Sequence, residues 1–476
     1  MRPWILLGLA FGGWLQGASA AYVVSNAMSG LVYSNLAAAV TASAQNDRLV
    51  MIGDEILAAT LVVSNRILTI DSDGSVRTIR GSTNCVYDMI LVTGTNATLT
   101  LGAPGGSDTA PTLIIDGGRN AGVSNLYDMF YLDLGWLNIQ PGVVLRNLAS
   151  VDTGAVNNNA GVIEMVGGRI ENNTAAYGAG IFNNTGDTRL QGGSITGNTA
   201  NVGGGVYNQA VVLYEGFIVG YGGKLDMTGG RIAGNQASAA GGGIYNMGAL
   251  ELSGGRVERN TAGAGGGVLH FNGTTYGMVL KGSAVIASNT ASTGSGIYYN
   301  NDANTWLSLA EGGRVDPEND VWLATTSMPV MLAAPLTGKG GAARITPPLY
   351  STNLYVLGTQ AAGDQWMVSN YYGKFTVTPS GVPGENWYVG TDGRLSHVDP
   401  AGIPPSITAV TVTTGTVEMG VVPAYVAWDG VVERATQVVS RGWNFQALPT
   451  NAYTVIDGRV VLVPDQAIGV FRMRRE

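Results

Sequence analysis

Residues 241–273 read GGGIYNMGALELSGGRVERNTAGAGGGVLHFNG, with eleven glycines and few charges. The stretch repeats a pattern that returns along the chain in columns. Paired glycines fall at Gly167-Gly168, Gly192-Gly193, Gly229-Gly230 and Gly254-Gly255, with Gly282-Ser283 as a decayed copy. Gly168 and Gly193 stand 25 residues apart, as do Gly230 and Gly255. Two residues after each pair comes a branched aliphatic: Ile170, Ile195, Ile232, Val257 and Val285. Asn173, Asn198, Asn235, Asn260 and Asn289 follow, and two positions beyond each is an alanine: Ala175, Ala200, Ala237, Ala262, Ala291. A glycine cluster next precedes Ile181, Val206, Ile244, Val268 and Ile297. The columns close on Met165, Leu190, Met227, Leu252 and Leu280, each just before a glycine pair.

A unit of this length divides into three short apolar runs that alternate in and out and stop at glycine or asparagine. That period is strand-like, and helical solenoids need longer units. Short parallel strands stacked turn on turn make an all-β fold, a right-handed parallel β-helix, in which each turn buries its interior against the next. Glycine supplies the corners, where positive φ or close backbone approach excludes a Cβ. Asparagine tolerates the left-handed region and its amides hydrogen-bond along a stack, so the five asparagines are expected at a tight corner.

The segments 53–74 and 111–118 read as earlier, less regular turns, each an apolar strand stopped by Asp-Gly or Gly-Gly. Residues 29–45 hold the one helix candidate, with Leu36 and Val40 on one side and Ser34 as N-cap, placed to cover the open end of the first turn. The expected organisation is a signal peptide over 1–20, an N-terminal cap over 21–48, and the parallel β-helix with its closing strands over 49–398. A proline-marked linker over 399–406 and a small C-terminal β module over 407–476 follow.

The chain has 476 residues, 71 of them glycine, 12% charged residues and a net charge of −8. Such an acidic balance offers a phosphate backbone no broad positive face, so no nucleic-acid partner is expected. MRPWILLGLAFGGWLQGASA at the start ends in Ala18-Ser19-Ala20, a signal-peptidase pattern, which predicts a mature chain beginning at Ala21. The expectation is a secreted or cell-surface protein with no transmembrane segment in the mature chain. The lone Cys85 allows no internal disulfide.

GGRIENNTAAYGAGIFNN, GGSITGNTANVGGGVYN and GGRIAGNQASAAGGGIYN resemble the repeats of right-handed β-helix proteins of bacterial surfaces. These include adhesin-like proteins and the chlamydial polymorphic outer-membrane proteins. ITPPLY, VLGT, NYYGKFTVTP and NWYVGTDGRL, in that order, are similar to the stretch that follows such repeats. Together they cover most of residues 150–396. The resemblance implies export, an outer-membrane or surface setting and an adhesin-like role. Unlike the chlamydial group, the last 70 or so residues are too few for a large membrane barrel.

The pectin-lyase-like fold also hosts pectate lyases and polygalacturonases, so a polysaccharide lyase or glycoside hydrolase is the alternative function. The Asn-Thr-Asp, Asp-Asp, Gly-His-Gly and Arg-Ile-Lys motifs of the hydrolases do not occur. His270 occupies a column held by Asn208 and Asn246, which marks a corner substitution and not a general base. Asp116, Asp128, Asp133 and Asp152, in the irregular turns, are the acid supply for a lyase or hydrolase site. Glu164, Asp226 and Glu251 share one outward column. Arg169, Arg231 and Arg256 share another, with Glu171 and Glu258 two residues on, as a surface ion-pair lattice or an anion platform. No cofactor and no metal site are expected.

The ligand-binding candidates are aromatic. Phe182, Tyr207, Tyr245 and Tyr298, interrupted by Leu269, each follow an inward aliphatic and so face out, one ring per turn. Such a ladder either packs the sheet or holds sugar rings or a partner surface. Gly193 and Gly230 stand 37 residues apart, and the surplus falls near QAVVLYEGFIVGY. Its Tyr214, Phe217 and Tyr221 form a projecting contact loop or pack over the column. The function these features predict is a non-catalytic, adhesin-like surface protein presenting a rigid face to a glycan, or to a host or neighbouring surface protein. A purely structural envelope component is the third possibility.

Overall fold

The structure is a computed structural model that describes residues 22–400 except 84–87, 124–125, 210, 215–216, 272–276 and 301–304. Over 211–221 and beyond residue 400 it describes the backbone of the strands alone. The expected signal peptide and Cys85 lie outside the described residues. Strands make up 47% of the chain and helices 6%. Between residues 55 and 377 the strands wind into a parallel β-solenoid of about 11 turns.

One turn shows the plan: Val162–Met165, then Arg169–Glu171, then Ile181–Asn183. These belong to three long sheets of 14, 10 and 12 strands, called here the first, second and third. The repeated residues superpose. Ile170, Ile195, Ile232 and Val257 are successive partners in the second sheet. Ile181, Val206, Ile244, Val268 and Ile297 are partners in the third. Both columns point into one continuous core running the length of the solenoid. The partner of Val257 is Ile286, and Val285 pairs with Arg256 instead. Leu252 and Leu280 are in register, so the later turn holds one extra residue at its corner, and counting from Gly282 misplaces the inward side chain.

A fourth sheet was not anticipated. Thr199–Val202, Gln236–Ala240, Thr261–Ala264 and Thr290–Thr293 pair in parallel between the second and third faces. Ala200, Ala237 and Ala262 are its buried positions, while Thr199, Gln236, Thr261 and Thr290 face solvent. Threonine-alanine runs this short carry too little apolar contrast to announce a strand.

The asparagine column is a continuous hydrogen-bonded ladder. Each Oδ1 accepts from the backbone N–H and the Nδ2 of the asparagine one turn before, at 2.9–3.2 Å, from Asn173 through Asn289. Asn319, absent from the sequence reading, accepts the last of these bonds. A second ladder runs inside the third sheet through Asn158, Asn183, Asn208 and Asn246 at 2.7–2.9 Å. His270 is its next step. Its Nδ1 lies 3.0 Å from Asn246 Nδ2 and its Nε2 lies 3.2 Å from Trp306 O. A neutral ring with the proton on Nε2 satisfies both contacts, which is the corner role the sequence predicts.

Both ends are closed. The helix at the start is shorter than expected, Leu36–Ala42, and its N-cap is Asn35, whose side chain accepts from Ala38 N at 2.7 Å. Ser34 stands one position too early to reach that donor. Leu36, Ala39 and Val40 turn inward over the first turn. Glu55 Oε2 accepts from Leu36 N, and Arg66 Nη1 donates to Val40 O, so the turn below holds both helix ends. At the other end a second helix, Trp366–Tyr371, buries Met367 and Val368 against the last turns. Among the described residues no helix is long and apolar enough to cross a membrane. Beyond the proline-marked stretch, strands from Ser406–Thr413 to Val470–Arg474 form two antiparallel sheets of four and three strands.

Candidate functional site

The outer face of the third sheet carries the aromatic column. Phe182, Tyr207 and Tyr245 are register partners in successive turns, followed by Leu269, Tyr298 and Trp322. Phe182 and Tyr207 stack with centroids 5.2 Å apart, and Tyr207 and Tyr245 at 4.9 Å, with interplanar angles of 23° and 16°. Parallel strands impose that spacing, because each ring stands on the same position of the next turn. All of these rings are half-buried.

The geometry changes what the ladder can offer. Tyr207, stacked on both sides, spends its ring faces on its neighbours. What the stack turns outward is ring edge, with the Tyr207 hydroxyl partly buried, and not a flat platform for a sugar ring. Tyr207 Oη lies 3.5 Å from Met247 Sδ. Tyr177, missed in the sequence because it precedes the glycine corner, sits edge-on to Tyr207 at 5.8 Å and is 40% exposed. Trp322 was missed because the glycine beat has faded by that turn.

Burial, and then the neighbouring Tyr245 and Tyr177, push the Tyr207 hydroxyl up to about 12. Tyr245 is raised by burial as well. A raised folded-state value means that the contribution of Tyr207 is fully present below the ordinary tyrosine range near 10 and is lost as pH rises through its folded value. The melting temperature is therefore expected to fall more between pH 9 and pH 11.5 for the parent than for Tyr207→Phe. Parallel curves would show that Tyr207 is not buried in its stack.

The insertion is a β-hairpin. Val211–Tyr214 pairs antiparallel with Phe217–Tyr221 at the corner between the third and first sheets. The side chains of Tyr214, Phe217 and Tyr221 lie outside the described residues, so these three candidates have no geometry to report.

The four aspartates of the alternative reading do not form one cluster: Asp152 lies near enough to Asp128 for their charges to interact, while Asp116 and Asp133 stand apart. Asp116 is on the second sheet; Asp128 and Asp133 stand at opposite ends of one third-sheet strand. Asp133 accepts from Thr93 Oγ1 at 2.9 Å. Asp152 uses its backbone carbonyl to hold Ala176 N and Tyr177 N. Asp128 is 2% exposed and accepts from Thr153 Oγ1 and Asn157 Nδ2. Its partner in the preceding turn is Asp88, which the sequence reading passed over. Burial drives the Asp128 carboxyl well above the usual range, and the Asp88 charge adds to that. Two carboxyls in adjacent turns resist joint ionisation, which works in the same direction as burial.

On the second sheet the ion-pair lattice is present. Glu258 collects Arg231 and Arg256 at 2.6 Å and Arg259 at 3.1 Å, and Arg169 meets Glu171 at 3.2 Å. Of these contacts only that of Arg231 crosses between turns, and the arginines are partly to well exposed, so each pair adds little stability. No protein-family model, curated protein or solved structure matches the chain.

Proposed function

We propose that the protein is an exported, non-catalytic surface protein, related in kind to the β-helix adhesins, that presents the outer face of the third sheet to a glycan or protein partner. The observation that carries this reading is the half-exposed aromatic column, held at fixed spacing on a wall that two buried asparagine ladders stiffen. Ring edges and tyrosine hydroxyls at turn spacing suit a partner that offers hydrogen-bonding groups at regular intervals. Export rests on the Ala18-Ser19-Ala20 pattern, and its test is N-terminal sequencing of the secreted product, where Ala21 is the expected first residue and an uncleaved chain overturns it.

A glycan and surface-protein array is the test. Tyr207→Phe with Tyr245→Phe keeps the stack and removes two hydroxyls, and is expected to lower binding about tenfold, as loss of one or two hydrogen bonds does. Unchanged binding overturns the role of the column. The paired Asp88 and Asp128 favour a second reading, a polysaccharide lyase or hydrolase. Its test is incubation with uronate polysaccharides, watching for unsaturated or reducing ends. Against it stands the near-complete burial of Asp128, which leaves no path for a substrate to its carboxyl.

A further inference from the structure

On the second sheet, well away from the aromatic column, Arg80, Asp116 and Arg146 are register partners in three successive turns. Two guanidiniums thus flank one carboxylate. Asp116 is 6% exposed and fully engaged. It accepts from Gly118 N at 2.9 Å, Asn147 Nδ2 at 2.9 Å and Arg146 Nε at 3.3 Å. The Arg80 guanidinium has no hydrogen-bond or ion-pair partner among the described residues, and Arg146 spends only its Nε. The next residue in the column is Glu171, already paired with Arg169.

These groups line a cleft of about 230 Å³ with Asn120, Ala121 and Asn147. One wall is the short 3-10 turn Arg119–Ala121, entered and left through glycines with φ of 80° and 82°. Arg119 fastens it from above, donating to Thr174 Oγ1 at 2.8 Å and Asn172 O at 2.9 Å, two turns further on. The wall is therefore set before any ligand arrives, which lowers the ordering cost of binding.

We infer that this cleft binds an acidic sugar, with Arg80 and the free Nη groups of Arg146 taking its sulfate or carboxylate and the Asn120 and Asn147 amides taking its hydroxyls. Guanidinium forks match either oxyanion in bidentate fashion. The volume argues for more than a bare anion: at about 30 Å³ per water, the cleft holds roughly eight waters. The neutral amides give the remainder of the space a use.

Calorimetric titration of the full chain at low salt with glucose 6-sulfate, glucuronate, glucose and inorganic sulfate tests this. At least one acidic sugar is expected to bind, its identity naming the oxyanion, with glucose and inorganic sulfate about tenfold weaker or more. Arg80→Gln, which breaks no internal contact, is expected to melt like the parent and bind about 10- to 100-fold more weakly. Asp116→Asn removes the competing carboxylate and is expected to bind more tightly. The inference is overturned if neither acidic sugar binds, if glucose or inorganic sulfate binds as well as the acidic sugars, or if Arg80→Gln leaves the affinity unchanged. A folded Asp116→Asn variant that binds more weakly overturns it as well.

Discussion

Replacing Asn235 with alanine is expected to lower the unfolding free energy by about 2–6 kcal/mol, a large effect for one exchange of a polar side chain. Asn235 is 1% exposed, and its Oδ1 receives both the backbone N–H and the Nδ2 of Asn198 at 3.0 Å. Its own Nδ2 donates to Ile195 O at 2.9 Å. Alanine leaves the Asn198 N–H and the Ile195 carbonyl without these partners in a dry interior, while Asn198 Nδ2 keeps its bond to Ile170 O and Asn260 Oδ1 keeps the backbone N–H of residue 235; an unsatisfied buried donor or acceptor costs about 1–3 kcal/mol. Asparagine is needed because both ends of the amide are used, one accepting and one donating. Asn235→Asp turns an oxygen toward the Ile195 carbonyl. Its folded-state value is then raised above the ordinary aspartate range near 3.9, so stability is lost as pH rises from there. Urea denaturation at pH 7 and pH 4 separates the variants: the aspartate variant recovers toward the parent at pH 4, and the alanine variant does not. Asn201→Ala, whose only side-chain bond among the described residues is an exposed contact with Ser238, is expected to stay within about 0.5 kcal/mol of the parent. An Asn235→Ala loss below about 1 kcal/mol would mean that the ladder does not hold the turns together.

The columns that made the solenoid legible are those in which a turn admits a single residue type. Asn198 and Asn235 recur because the corner uses a donor and an acceptor at once, and Ile195 and Ile232 because the core behind them is continuous. Chemistry that repeats with the geometry leaves a period in the sequence. The fourth sheet left none, since Thr199 and Gln236 face water and any polar residue serves there. The cap at Asn35 and the helix Trp366–Tyr371 occur once each, so no second copy exists against which to align them. The candidate site divides the same way. Phe182, Tyr207 and Tyr245 were visible as a column, but whether their faces or their edges turn outward depends on side-chain rotation, which no spacing encodes. Asp116 was visible as an acid candidate, but its neighbour Arg80 was not, because only the strand register brings the two together.

Gly243→Ala is expected to cost more than about 3 kcal/mol, or to prevent folding, although the backbone conformation of Gly243 is one that alanine adopts freely. A Cβ there would stand 2.6 Å from Gly267 O and 2.9 Å from Asn260 Nδ2 and Val257 Cγ1. None of these can move alone. Gly267 O accepts from Ile244 N at 2.9 Å, so parting the turns to admit a methyl group breaks the pairing that defines the stack. The same approach recurs down the column, where a Cβ on Gly205 would lie 2.6 Å from Gly243 O and one on Gly267 the same distance from Gly296 O. Gly234 provides the contrast. Its φ is +64° and nothing lies within 4 Å of its Cβ position, so alanine there carries only the left-handed strain of about 1–2 kcal/mol. In the unfolded chain both exchanges remove similar freedom, an effect of about 0.4–1 kcal/mol that favours alanine and cancels between them. Thermal melting of the two variants side by side therefore measures the contact between turns, free of glycine's flexibility. If Gly243→Ala melts no lower than Gly234→Ala, the turns are not in contact at that corner, and the stack spacing that places every column of this molecule is wrong.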